Sequence, residues 1–145
     1  MDTTVPSETA PLPEPQATPA QLAALEAIRL DLLRIHRTLL AVERVRYERV
    51  HGRIANNSAF LQLVIANPWF DWLRPMAQLV LLIDERTTDK KAPLGGGEAD
   101  LLIGRSRAML RADAEGDAFQ RLYAQAIADF PEIRALAQQV EQAHA

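Results

Sequence analysis

The chain has 145 residues, of which 48% are apolar and 24% are charged, a composition that suits one globular domain. The net charge of −3 does not favour a nucleic-acid-binding protein, and the lack of cysteine excludes thiol catalysis, disulfides and cysteine-bound zinc. No basic region precedes an apolar stretch as in a secretion signal, and no apolar run approaches the roughly 20 residues of a membrane span. We therefore expect a cytoplasmic protein without a membrane association.

Residues 1–18 form an acidic, proline-rich segment with no basic residue. Apart from Met1, only Val5 and Leu12 are large and apolar, too few to offset the entropy that ordering would cost. We predict a disordered tail over residues 1–18 and a single helical-bundle domain over residues 19–145.

A long amphipathic helix is predicted from about Pro19 to His51. Thr18 is a suitable cap, proline is favoured at the first helical position, and Gly52 is a suitable stop. Apolar residues at alternating spacings of three and four line one face of this helix: Leu25, Ile28, Leu32, Ile35, Leu39 and Val42. At 1.5 Å per residue the helix would be about 50 Å long.

Shorter helices are predicted for the rest of the domain, separated by turn residues. They cover about residues 60–66, 76–85, 98–110, 118–128 and 130–142, with Asp129 starting the last as its cap. The run Leu79–Ile83 is apolar on every side, so its helix is expected to be the most buried. The predicted fold is an all-α bundle of about five to six helices around one long N-terminal helix, without a β-sheet.

Two Glu-x-x-His spacings suggest a metal site. Glu48 with His51, and Glu141 with His144, are each three residues apart and would share a helix face. Paired motifs of this kind, with two further glutamates, hold the metals of ferritin-like bundles, and Glu43 and Glu85 would supply them here. Two observations argue against a site for a divalent metal ion. Both histidines lie at helix ends, and four arginines surround the first motif and would repel a cation.

The end of the long helix is basic, since residues 20–53 hold seven arginines against four acidic residues. Arg46, Arg49 and Arg53 form a patch that would suit an acidic partner or a nucleic acid, or remain a solvated face. The acidic total charge makes a nucleic-acid-associated regulator the weakest of the hypotheses.

Two further features have structural as well as functional interpretations. Trp69 and Trp72 would either close the core or anchor an interface. His36 and Glu43 lie near one face and would form either an acid–base pair or a hydrogen-bonded core edge. No nucleophile accompanies them, so no catalytic residue is predicted.

The leading hypothesis is a non-enzymatic helical interaction or adaptor protein, acting as a homodimer or binding a protein partner. Its predicted surface comprises Arg46, Arg49, Arg53, Trp69 and Trp72, and it needs no cofactor. The alternative is a metal- or cofactor-binding bundle that uses the paired Glu-x-x-His motifs.

Overall fold

A computed structural model of the chain describes residues 14–144, which form six α-helices and one 3-10 turn. The helices are α1 (Pro19–His51), α2 (Asn57–Ala66), α3 (Arg74–Thr88), α4 (Gly96–Met109), α5 (Ala118–Asp129) and α6 (Pro131–Ala143), with the 3-10 turn at Pro68–Leu73. No strand occurs among these residues, so the predicted all-α fold is confirmed. None of the described helices is both long and apolar enough to span a membrane.

The first helix, α1, is the centre of the fold. Its start is fixed by a reciprocal pair of hydrogen bonds, in which Thr18 and Gln21 each accept a backbone N–H of the other through a side-chain oxygen, at 2.9 and 3.1 Å. Gly52 ends it at a φ of 89°, a conformation that favours glycine. The predicted apolar stripe is buried along its whole length, and α3, α4, α6 and the 3-10 turn pack around it.

The third helix, α3, is less buried than its sequence predicts. Leu79 and Ile83 lie in the core, but Leu81 between them keeps 56% of its surface exposed. A helix packed on one side of α1 buries only the residues that recur every three to four positions. The expectation that Leu79–Ile83 forms the most buried helix is therefore wrong: α3 buries three of its 15 residues, whereas α4 buries four of 14.

The start of the domain lies before α1, at residues 14–17. Ala17 N donates to Leu94 O at 2.9 Å, Gly96 N to Pro15 O at 2.8 Å, and Gly97 N to a Glu14 carboxylate oxygen at 2.9 Å. A Cβ atom at Gly97 would overlap that carboxyl group, so a larger residue at this position would displace the exposed Glu14 side chain. The last residues of the predicted tail are thus attached to the start of α4, and residues 1–13 of that prediction lie outside the described part of the chain.

The junction between α5 and α6 differs from its predicted capping. Asp129 is the last residue of α5, and α6 begins after Phe130 without a side-chain cap. Arg134 donates instead to the free carbonyl oxygens of Ile127 and Ala128 at the end of α5, at 3.1 and 2.9 Å. Arg134, one turn into α6, therefore provides hydrogen-bond donors for carbonyl groups at the end of α5. This contact depends on how the two helices meet.

A buried hydroxyl group without a partner gives a first test of this core. Tyr123 on α5 has no exposed surface, and its hydroxyl has no hydrogen-bond partner among the described residues. Burial raises the pKa of this phenol, with a smaller contribution from the charge of Glu141. We expect Tyr123→Phe to raise the free energy of unfolding by about 1 kcal/mol in urea titrations, because it removes an unsatisfied polar atom. Tyr47→Phe is the control, with a change within about 0.5 kcal/mol; a loss of stability in Tyr123→Phe would contradict the expectation.

Candidate functional site: a groove at the end of α1

A groove of about 660 Å³ opens to solvent where α1 ends, and we call it the terminal groove. One side of the groove is formed by the last turn of α1 and by the connection of residues 52–55 that follows it. The other side is formed by α2 and the turn after α2. Most of its lining is apolar or small: Tyr47, His51, Gly52, Arg53, Ile54, Ala55, Ala59, Gln62, Leu63, Ala66, Asn67 and Pro68. The groove therefore offers an apolar surface with a few polar groups at its edges.

Two aromatic rings of α1, Tyr47 and His51, line the groove, and a third ring, Trp69 of the 3-10 turn, packs against them. Tyr47 and His51 are one turn apart on α1, and their ring centroids lie 4.6 Å apart. Trp69 meets both rings edge-on, at centroid distances of 5.5 and 5.6 Å. These separations are within the favourable range for aromatic pairs, so the rings support one another.

A buried carboxylate holds Trp69 in this place. Glu43 is only 2% exposed, and its two oxygens accept hydrogen bonds from the Trp69 indole N–H and from the Arg46 guanidinium, each at 2.8 Å. A buried carboxylate is stable when both of its oxygens are hydrogen-bonded and a positive charge is close. Glu43 therefore ties the 3-10 turn to α1 one turn before Tyr47.

The connection between α1 and α2 is held by a second glutamate. A carboxylate oxygen of Glu48 accepts the backbone N–H of Ile54 at 2.9 Å and lies 3.9 Å from the Arg44 guanidinium. The Ile54 side chain is thereby buried, with 6% of its surface exposed, and it lines the groove. The Glu48 carboxylate thus binds the backbone of the connection that follows α1 and fixes its path.

The second helix, α2, forms the opposite side and has no buried residue. It contains no charged residue, yet Leu61 and Ile65 on its outer side are 58% and 61% exposed. Four of its residues border the groove at helical spacing: Ala59, Gln62, Leu63 and Ala66. An apolar helix therefore lies on the surface with one face along the groove and another in solvent.

Few contacts attach α2 to the rest of the domain. Phe60 packs edge-on against Phe70 at 5.7 Å, and the Arg44 guanidinium lies over the Phe60 ring at 4.8 Å. At the far end of the helix, Arg74 donates to the Ile65 carbonyl oxygen at 3.1 Å. These contacts fix the position of α2 through one aromatic residue and two arginines.

The three arginines of the predicted surface have different environments. Arg46 is engaged with Glu43. Arg49 is exposed in the last turn of α1, and Arg53 is exposed beyond the end of the helix, where it lines the groove. Within residues 14–144, neither Arg49 nor Arg53 has a carboxylate within ion-pairing distance.

The two predicted tryptophans contact different parts of the fold. Trp69 supports the aromatic side of the groove through Tyr47 and His51. Trp72 packs against Phe119 of α5 at 5.6 Å, at the edge of the hydrophobic core. Only Trp69 therefore belongs to the surroundings of the groove.

The two Glu-x-x-His motifs lie far apart. His144 Nε2 is 2.7 Å from an Asp31 carboxylate oxygen, so the motif of Glu141 and His144 lies beside the first half of α1. Asp31 precedes His51 by 20 residues on the same helix, a separation of about 30 Å. The motifs of Glu48–His51 and Glu141–His144 cannot share one ion, and residues 14–144 contain no group of three or more potential ligands placed around a common point.

The proposed acid–base pair of His36 and Glu43 is not formed. Both oxygens of Glu43 are bonded to Trp69 and Arg46. His36 instead lines a separate cavity of about 320 Å³ beneath α2, beside Phe70 and Arg74. Burial lowers the pKa of its imidazole.

Three parts of the groove, α2, Tyr47 and Ile54, carry no motif in the sequence that marks them as functional. A signal for α2 was present, because seven of its ten residues are apolar and none is charged, which is unusual for a helix on the surface. No comparable signal marks Ile54, whose place depends on the bond to Glu48. No protein-family model, curated protein or solved structure matches the chain, so its function is argued from the groove.

Removal of the Glu43 carboxylate tests the support of the groove. We expect Glu43→Ala to lower the free energy of unfolding by about 3 kcal/mol, because the Trp69 N–H loses its acceptor and Arg46 its counter-ion. Glu43→Gln keeps an acceptor for the indole and should cost about half as much. Urea unfolding followed by tryptophan fluorescence measures both values, and equal costs for the two variants would contradict a specific role of the indole bond.

The buried imidazole of His36 predicts a pH dependence of stability. Because the folded chain resists protonation of His36, the unfolded chain binds the proton first as the pH falls below about 6.5. The free energy of unfolding should therefore fall as the pH is lowered from about 7.5 to 5.5, and fall less in His36→Leu. Urea titrations at several pH values measure the difference between the two proteins; parallel curves would show that His36 does not contribute.

Proposed function

We propose that the protein is an interaction domain that binds a segment of a partner protein in the terminal groove. The observation that carries this proposal is α2, an uncharged apolar helix without a single buried residue. Apolar surface left in water costs about 25 cal/mol per Å², and contiguous exposed patches with polar rims are typical of interaction sites.

The composition and shape of the groove support a protein ligand. Tyrosine, tryptophan and arginine are enriched at interfaces; Tyr47 and Arg53 line the groove, and Trp69 packs against Tyr47 behind it. Its volume is within the range of small-molecule sites, about 300–1,000 Å³, but it is open along α2 rather than enclosed. An open apolar channel beside a helix suits an extended or helical segment of another chain.

The sides of the groove are held by hydrogen bonds within the chain. Glu43 holds Trp69 from α1, and Glu48 holds Ile54 beneath the opening. A preformed site loses little conformational entropy on binding, so more of the contact energy contributes to affinity.

Self-association through the same surface is the second candidate, supported by the exposed Leu61 and Ile65. A symmetric dimer would place each surface against an identical one. Arg53, an exposed charge in the lining of the groove, would then be brought towards the same charge of the second copy. Repulsion between like charges favours a different partner over a second copy.

Site-specific photo-crosslinking in cells tests the proposal. A photoreactive amino acid at Gln62 lies in the groove, and the same amino acid at Gln125, exposed on α5, is the matched control. We expect the Gln62 position to crosslink one protein that the control position does not. The crosslink should be lost when Ala66→Trp fills the groove, because that side chain would occupy the space of the ligand.

Mass spectrometry of the product distinguishes the outcomes. One partner peptide, crosslinked from Gln62 and lost with Ala66→Trp, is the expected result. The same products from both positions, or crosslinks unaffected by Ala66→Trp, would contradict binding in the groove. A product containing only a second copy of this chain would replace the proposal with self-association.

A further inference from the structure

We infer that the cavity beneath α2 binds a small uncharged molecule with an apolar body and one hydroxyl group, and that the hydroxyl group bonds to His36. We call this space the His36 cavity. A phenol or an aliphatic alcohol of moderate size is the chemical class that fits it. The cavity is separate from the terminal groove, so this inference stands independently of the proposed function.

The His36 cavity is bordered by four parts of the fold. Its volume of about 320 Å³ lies at the lower end of the range for small-molecule sites, about 300–1,000 Å³. Apolar side chains from α2, the 3-10 turn and α3 form most of its walls: Val64, Ile65, Phe70, Leu73 and Ala77. Walls that converge from several elements suit a compact molecule with an apolar body.

The imidazole of His36 gives this apolar lining a polar group whose bonding capacity is unused. His36 lies on α1 and is half-buried, and no group among residues 14–144 forms a hydrogen bond or an ion pair with its ring. Because burial lowers its pKa, the ring is uncharged at neutral pH, with one nitrogen that donates and one that accepts. A hydroxyl group both donates and accepts, so it can pair with either nitrogen.

The charge at the edge of the cavity is already compensated. Arg74 donates to an Asp71 carboxylate oxygen at 3.0 Å and to the Ile65 carbonyl oxygen at 3.1 Å. An anionic ligand would compete with Asp71 for this guanidinium, and a cationic ligand would be repelled by it. Either ion would also lose its hydration against the apolar walls, so an uncharged ligand is favoured.

The composition of the walls favours an organic molecule over water. A water molecule inside a protein needs two to four polar partners, and the side chains here offer mainly the imidazole of His36. An apolar body that fills the space gains the free energy of leaving water, while its hydroxyl group satisfies the imidazole.

The ligand would also cover apolar surface that α2 leaves open. Val64 is half-buried and Ile65 is 61% exposed, and both side chains line the cavity. Their contacts with the ligand would add to the few that hold α2 on the domain. Binding should therefore raise the melting temperature of the protein as well as occupy the cavity.

The experiment uses the three histidines of the chain as separate reporters. His36 lines the cavity, His51 lines the terminal groove, and His144 is bonded to Asp31. The full chain is titrated with 4-ethylphenol and followed through the NMR signals of the imidazole rings, with His36→Leu identifying the His36 signal. We expect the His36 signal to shift with a Kd below about 1 mM, while the signals of His51 and His144 stay in place.

Two analogues test the chemistry of the ligand. Ethylbenzene lacks the hydroxyl group and 4-ethylbenzoate carries a charge, so each should bind about tenfold more weakly than 4-ethylphenol. In His36→Leu, followed through the backbone amide signals of α2, ethylbenzene should bind as tightly as 4-ethylphenol. Loss of the preference without loss of binding would not follow from a purely structural role of His36.

Filling the cavity provides the second variant. Ala77→Leu places a larger side chain in the cavity and should weaken binding of 4-ethylphenol at least tenfold, whereas Ala124→Leu, at a half-buried position on α5, should leave it unchanged. Urea unfolding checks that each variant is folded, and His36→Leu decides the question if Ala77→Leu is not.

Four results would overturn the inference. They are a His36 signal that does not move at about 10 mM ligand, a shift confined to His51 or His144, equal binding of 4-ethylphenol and ethylbenzene to the unmodified chain, and binding that a folded Ala77→Leu leaves unchanged. A shift confined to His51 would place the small molecule in the terminal groove instead.

Discussion

The buried carboxylate of Glu43 connects the core of this protein to its proposed binding site. It lies directly after the last residue of the apolar stripe of α1 and bonds the helix to the 3-10 turn. Because its oxygens bind Trp69 and Arg46, the turn is held against α1, and α2 in turn packs on that turn. Burying a charged carboxylate costs free energy unless such partners bind it. The contacts that offset this cost are the same contacts that fix the position of the groove.

Features set by neighbouring residues were predictable from the sequence. The capping of α1 by Thr18, its end at Gly52 and its apolar stripe depend on residues within a few positions of one another, and all are confirmed. Where the outcome depends on how helices meet in space, the sequence misled: Asp129 ends α5 and does not cap α6, and Leu81 faces solvent. The groove belongs to this second class, since its sides come from helices joined by a connection whose path the Glu48–Ile54 bond fixes.

Stability and binding place opposite demands on α2. A helix that contributes no buried residue adds little to the core, and its apolar side chains in water favour neither solubility nor a unique fold. In this structure it is retained through Phe60 and the two arginines that hold its ends. The cost is consistent with a surface that is completed by another molecule, as local violations of folding rules are expected at functional sites.

The attachment of residues 14–17 to the start of α4 has a further consequence for the geometry of any complex. Because these residues lie beside the first turn of α1 and the groove lies beside its last, α1 acts as a rigid spacer of about 50 Å between them. Anything carried on residues before Glu14 would be held at one pole of the domain, while a bound segment is held at the other. The helix that forms the core therefore also sets a fixed distance between two attachment points.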